Sequence, residues 1–343
     1  MVDIVLVGAK RVGFQGMEYV QKLVAWVLKL WHSLFAGFLG LDASTAWVIS
    51  IVMLVVTIRG LLFPLAYRQY ASGRHLVNLR PSLRRLNAEY KGKKDAEARK
   101  EKLARERELR KNSDYKMVDG CIPALIQVPL IIALYQLLLR IARPVEGIDA
   151  PHHGFGSLTS EDVSHFLDAR LFDVPISSYH IMNANTLAEL GTTRSSVFWL
   201  ALPLATCAAV FTTANWAYTM KRNLQTVDHE SFAARGFMKL MWVFGPFLFL
   251  FPLVFGLLGP APIAILMYWV CSNLWTAMQT FIIQRTLDKR VPYTTEFREY
   301  HAEQKQLYLD RKKTKRTRKL KSAESDRGPL VGMRFAQVET SPP

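Results

Sequence analysis

Apolar residues run nearly unbroken through five stretches of the chain, at about 47–67, 120–141, 197–219, 237–258 and 262–284. A helix needs about 20 such residues to cross a hydrocarbon core of about 30 Å. The pattern therefore predicts an all-α polytopic membrane protein with five transmembrane helices. A different pattern occupies 18–38. Glu18, Lys22, Ala25, Lys29 and Ser33 recur there at steps of three and four, while Val20, Leu23, Val24, Trp31, Leu34, Phe35 and Phe38 take the other face. This predicts an amphipathic helix lying in the membrane interface, within an extracytoplasmic N-terminal segment, 1–46. No short uncharged core with a small-residue cleavage site marks it as a signal peptide.

Charge orients the helices. The 68–118 segment holds sixteen Lys and Arg and the tail from Arg285 holds fifteen, whereas 142–196 holds three beside seven acidic residues. Lys and Arg accumulate in cytoplasmic loops. The hairpin 68–118, the loop 220–236 and the tail 285–343 are thus expected in the cytoplasm, with 142–196 and the N-terminus outside. Most of the net charge of +16 is this topology signal. The run KKTKRTRKLK at 312–321 exceeds what orientation needs, and suits phosphates of anionic lipids or of ribosomal RNA. Cys121, Cys207 and Cys271 all fall within spans, so they read as small buried packing residues, not a disulfide framework. Within 68–118, Leu76, Leu79, Leu83, Leu86 and Tyr90 keep helical spacing, Lys91-Gly92 supplies a break, and 95–111 is charged with few apolar residues. Two back-to-back helices are expected, the second with little to bury.

Polar residues inside the apolar runs carry the candidate chemistry. Arg59 lies nine residues inside Arg68, about 13 Å along a helix. A guanidinium at that depth requires water or a polar partner. Pro64 removes a backbone donor near it and loosens the turn at Gly60. Gln127 falls at a similar depth on the second span. Thr212, Thr213 and Asn215 lie at the inner end of the third, and Ser272, Asn273, Thr276, Gln279 and Thr280 lie in the inner half or middle of the fifth. The outer halves hold few such groups, mainly Gln136 and Thr206. Polar groups in hydrocarbon face the bundle interior or a wet cavity, which predicts a hydrophilic groove open to the cytoplasm and closed outside. The fourth span is almost wholly apolar and is expected to face lipid.

Two other classes are weighed against a groove. A transporter or channel needs a conduction route, which the apolar outer halves oppose, and no inverted repeat with interrupted spans is evident. An enzyme needs a nucleophile or metal set. His152, His153, Asp162 and His165 have metal-capable side chains, but their spacing fits no defined site, so no metal or cofactor is expected. Nor is there a G-x-x-x-x-G-K-[ST] loop for nucleotide.

The segments TIRGLLFPL (57–65), DGCIPALIQVPLIIALYQLL (119–138), LALPL (200–204) and MYWVCSNLWTAMQTFIIQR (267–285), with the charged hairpin between the first two, resemble the YidC/Oxa/Alb membrane protein insertases, in their short five-span bacterial form. The resemblance covers roughly 47–141 and 197–285. It implies that Arg59 is the groove arginine, that Gln127 lines the same groove, and that Trp269 is the aromatic of the last span that helps build it. Thr212, Thr213, Asn215, Asn273, Thr276 and Gln279 complete the candidate lining. The family pattern has a glutamine late in the third span where this chain has Thr212, Thr213, Ala214 and Asn215. The resemblance also implies a chaperone and insertase of the bacterial cell membrane, not an enzyme. It takes nascent membrane proteins as substrates, alone or with the Sec translocon, and meets the ribosome or anionic lipids through 312–321.

Overall fold

Asp42 opens the central helix of the fold by accepting a hydrogen bond from the Thr45 amide at 2.9 Å, which satisfies one of the orphan donors of a first turn. The computed structural model describes residues 2–93, 95–113, 115, 117–142 and 152–335, with side chains for 16–93, 95–113, 115, 126–142, 152–320 and 322. After α1 (Val2–His32) and a wide π-helical turn (Ser33–Phe38), α2 runs over Ala43–Glu89. Its 47 residues extend about 70 Å at 1.5 Å per residue. The first apolar run and the first arm of the basic hairpin, expected as separate elements, are thus one helix. Pro64 and Pro81 lie inside it without ending it. Gly92, at φ +95°, turns the chain into α3 (Ala96–Asn112), in a conformation that costs glycine little. Nothing on α3 is buried; Arg105 ties it to Glu89 of α2 at 2.9 Å.

The end away from the basic hairpin is packed shut. Trp47, Ile51 and Leu54 of α2 meet Leu134, Leu137 and Leu138 of α4 (Met117–Ala142) and Ile263, Ala264 and Leu266 of α9 (Ile263–Arg290), all at most 1% exposed. Residues 152–193 form an ordered cap over this plug. Its α5 (Ser160–Asp168) starts with a reciprocal capping box between Thr159 and Asp162. A two-residue hairpin follows, β1 (Arg170–Leu171) against β2 (Val174–Pro175), then α6 (Ala184–Glu189). Phe166 of α5 sets its edge against the Trp47 ring at 5.4 Å. Backbone carbonyls of Ser178 and Ile176 accept from Ile263 and Ala264 at 3.0 and 2.8 Å, so the cap also caps α9.

The N-terminal helix is longer than its expected 18–38 core, and its faces differ from expectation. Ala25, counted on the polar side, is fully buried with Val24 and Leu28, while Leu23 and Phe38 are exposed. The cause is a second neighbour. Alpha1 packs on α2 and α4 along one side, Lys29 turns to the Asp162 carboxylate of the cap, and apolar residues remain on the outer flank.

Helix α7 (Arg194–Leu224) packs through Ala201, Ala205, Ala208 and Ala209. Cys207 lies off this stripe and is exposed, not buried as expected; the side chain of Cys121 lies outside the described residues. Gly245 of α8 (Phe232–Leu258) sits where an added Cβ would come within 2.7 Å of Trp216, so small residues bring α8 close to α7. The remaining face of α8 is apolar and exposed, as at Val243 and Phe247. Finally α10 (Thr295–Phe335) continues the basic tail as one helix, anchored by buried Phe297.

Five membrane-crossing helices were expected. Among the described residues three, α2, α7 and α8, are long and apolar enough by length and composition. The part of α4 with described side chains, Ile126–Ala142, is apolar, and α9 carries polar residues from Ser272 onward, which lowers its hydropathy.

Candidate functional site: a polar groove ending at Arg59

The polar residues of α2, α4 and α9 meet just beneath the apolar plug. Arg59 donates through Nη2 to the Ser272 hydroxyl at 2.5 Å, with the Tyr268 hydroxyl also beside it. Among the described residues no acidic side chain pairs with it. The guanidinium lies against a cavity of ≈ 220 Å³ lined also by Gln127, Thr276, Gln279, Gln69 and Tyr70. Gln127 Nε2 is buried and has no hydrogen-bond partner among the described residues. Such a donor costs about 1–3 kcal/mol unless something polar enters the cavity.

Toward the basic end, Gln69, Tyr70 and Thr280 also line a second cavity, of ≈ 480 Å³. The two cavities form one groove. The outer cavity is framed by Arg74, Arg80 and Arg222. Arg74 and Arg222 are both held by Asp288, at 2.9 and 2.6 Å, and both donate to Gln284 Oε1, at 2.8 and 2.9 Å. Burial pushes the Asp288 carboxyl up, but hydrogen bonds and charge from Arg222 and Arg74 outweigh it and hold the group below the ordinary carboxylate range. Arg80 bonds the Thr226 carbonyl, and Arg84 reaches Asp228 and Glu230 at 2.9 Å each, fixing the loop between α7 and α8 to α2.

Of the candidate residues, Arg59, Gln127, Thr276 and Gln279 are brought together on one cavity. Thr212 and Thr213 back-bond to the carbonyls of Ala208 and Ala209, at 2.7 and 2.8 Å. Asn215 donates to the Asn273 carbonyl at 3.0 Å and joins α7 to α9, while Asn273 Nδ2 is buried without a protein partner. Trp269 stacks edge-on with Phe251 and Phe255 of α8, at 5.6 and 6.0 Å. These five therefore border the helix contacts beside the groove. Outside it, Gln136 accepts from Gln21 of α1, and Thr206 back-bonds to Leu202. Asp162, one of the four metal-capable residues, is occupied by Lys29 and its capping box. The candidate set lacked Asp288, Gln284, Arg74 and Arg222. Their sequence signal was a Gln and an Asp one helical turn apart at the basic end of α9.

The description "60Kd inner membrane protein" belongs to the family model that matches residues 38–290, a range holding α2 through α9 and every groove residue. The chain belongs to this family. It is a membrane protein with the all-α architecture of the YidC/Oxa insertases. A Corynebacterium efficiens protein described as a membrane protein insertase, YidC, is 42% identical over 304 residues, covering 88% of this chain and 76% of the relative. The Corynebacterium glutamicum protein of the same description is 41% identical over 294 residues, covering 85% and 70%. One from Mycobacterium leprae is 30% identical over 286 residues, covering 80% and 72%.

Proposed function

We propose that this family member is a membrane protein insertase whose groove admits short hydrophilic segments of nascent membrane proteins into the inner leaflet, then releases apolar helices into lipid. One observation carries the reading. Arg59 stands at the blind end of a polar groove with only hydroxyl partners among the described residues, so its full charge is available to an incoming carboxylate. In that low-dielectric setting the attraction is several times stronger than in water. Exposed Leu61 on α2 and Leu274, Met278 and Phe281 on α9 offer an apolar flank for the departing helix. Transfer of apolar surface into lipid supplies the driving force, and an outside-positive potential adds about 2.3 kcal/mol per acidic charge per 100 mV.

The groove opens to the cytoplasm in this reading, because the basic hairpin and tail lie at its mouth. The test uses single cysteines at Gln127 and Thr276 in a variant lacking Cys121, Cys207 and Cys271. A membrane-impermeant thiol reagent should label both from the cytoplasmic face only. Labelling from both faces would support the alternative, a small-solute transporter or channel. No labelling from either face would refute the groove.

A further inference from the structure

Between the first turns of α8 and the middle of α10 lies a separate cavity of ≈ 870 Å³. Arg235 and Lys239 enter it from α8, and Arg311, Lys312, Lys315 and Arg318 enter it from α10. On α10 these four recur at steps of one, three and three, so they share one helical face. Among the described residues none of the six makes an ion pair. The two acids at the cavity edge are engaged elsewhere: Glu230 with Arg84 at 2.9 Å, and Asp310 with Gln306 at 3.4 Å.

The cluster is held in shape. Arg235 lies over the Tyr308 ring at 5.2 Å and donates to the His229 carbonyl, while the His229 ring stacks on Tyr308 at 5.5 Å. The cavity is also part apolar. Phe232 and Leu307 line it, and just past Lys239 the outer face of α8 is an exposed apolar track through Leu240, Val243 and Phe247. Alpha8 is long and apolar enough to cross a membrane, so Arg235 and Lys239 lie where it enters the bilayer. Cations at that level followed by an apolar track match a phosphate headgroup followed by acyl chains.

We propose that this cavity is a binding site for one anionic phospholipid, its phosphate held among the six cations and its chains along α8, clamping the tail helix to the membrane. A nucleic acid fits less well, because the cations converge into a cleft between two helices at the membrane face, not along an open surface. The site rests on α8 entering the bilayer and is independent of the groove, so either reading can fail alone.

The test is a titration of the purified full chain in neutral detergent, read by native mass spectrometry, with phosphatidylglycerol, phosphatidylcholine of the same acyl chains, and inorganic phosphate. A pocket variant carries Arg235→Gln, Lys239→Gln and Arg318→Gln. A matched variant removes as much charge from the other face of α10, through Arg298→Gln, Lys313→Gln and Arg316→Gln. Each removed cation near a headgroup is worth roughly fivefold in affinity. The pocket variant should therefore lose roughly a hundredfold for phosphatidylglycerol, and the matched variant less than about twofold. Should the triple variant fail to melt cooperatively, Lys239→Gln alone carries the test, with a roughly fivefold loss expected. Equal loss in both triple variants would reduce the site to diffuse attraction and overturn it. Displacement of the lipid by equimolar inorganic phosphate would make it a soluble-phosphate site. A pocket variant that binds lipid normally but has lost affinity for a short RNA duplex would replace the lipid with nucleic acid.

Discussion

Asp288→Asn removes the carboxylate that ties α2 and α7 to α9 at the groove mouth. In the parent protein Asp288 of α9 bonds Arg74 of α2 and Arg222 of α7, whose side chains are 3% and 17% exposed. Breaking a buried pair costs about 3–5 kcal/mol because a charge is left behind, whereas fully exposed pairs are worth about 0–1. Asp288 itself is 39% exposed, and Gln284 still accepts from both guanidiniums, so we expect about 2 kcal/mol at pH 7. For a chain of this size that is a fall of about 4 °C in apparent Tm, measured by thermal unfolding in detergent. The pH dependence has a defined sign. The folded-state pKa of Asp288 lies below its unfolded value of about 3.9, so its contribution is complete above that value and is lost as pH falls through the lowered folded pKa. Parent and variant should therefore differ at pH 7 and converge only as the pH falls below the ordinary carboxylate range. Removing the buried partner as well, with Asp288→Leu and Arg74→Met together, should recover part of the loss. A Tm within 1 °C of the parent at pH 7, or a gap that persists undiminished in acid, would refute the bridging role.

Arg59→Ala should lose insertion of substrates with acidic N-terminal segments into liposomes while Arg59→Lys keeps most of it; equal failure of both would mark a structural guanidinium instead. Gly245→Leu should destabilise by about 1–3 kcal/mol through overpacking against Trp216, whereas Gly236→Ala, with open space around it, should leave the melting temperature within a degree. Asp162→Asn should loosen the cap from α1, seen as faster amide exchange around Ser160–Asp168; because Lys29 and Thr159 hold this carboxyl low against the opposing effect of burial, the parent should show the same loosening only as pH drops below the ordinary carboxylate range. A phosphatase reporter fused after Lys321 should be inactive and one at Ser178 active; the reverse would overturn the orientation.

The helices were legible because hydrophobic length is a one-dimensional property, but their boundaries were not. The change from apolar to basic composition at Arg68 looks like an element boundary, yet backbone geometry does not register side-chain charge, and α2 continues until Tyr90 and Gly92 provide a turn. The tail shows the same effect: Ala, Lys, Arg and Glu favour helix whatever they face, so α10 forms with almost nothing buried beyond Phe297 among its described side chains. Alpha1 was misjudged for another reason. A periodic pattern reveals which residues share a face but not which neighbour that face meets, and Ala25, neutral in any pattern, is the residue that lets α1 approach its neighbours.

The groove divides along a similar line. Arg59 stood out in the sequence because its surroundings were apolar, and any charge there requires an explanation. Arg74, Arg222 and Asp288 were hidden because each sits in a stretch already rich in charge, and their pairing spans helices 66 or 214 residues apart. The structure gives the two kinds of arginine opposite electrostatic standing. Those at the mouth are spoken for by a carboxylate, which neutralises part of their field and binds three helices into a fixed entrance. Arg59 has Ser272 and Tyr268, neutral groups that orient a guanidinium without cancelling it. Under the proposed function, an acidic segment moving inward would leave partly compensated charge for uncompensated charge in a lower dielectric, and the attraction would grow as water is left behind. A carboxylate partner for Arg59 would remove that gradient, and among the described residues none stands beside it.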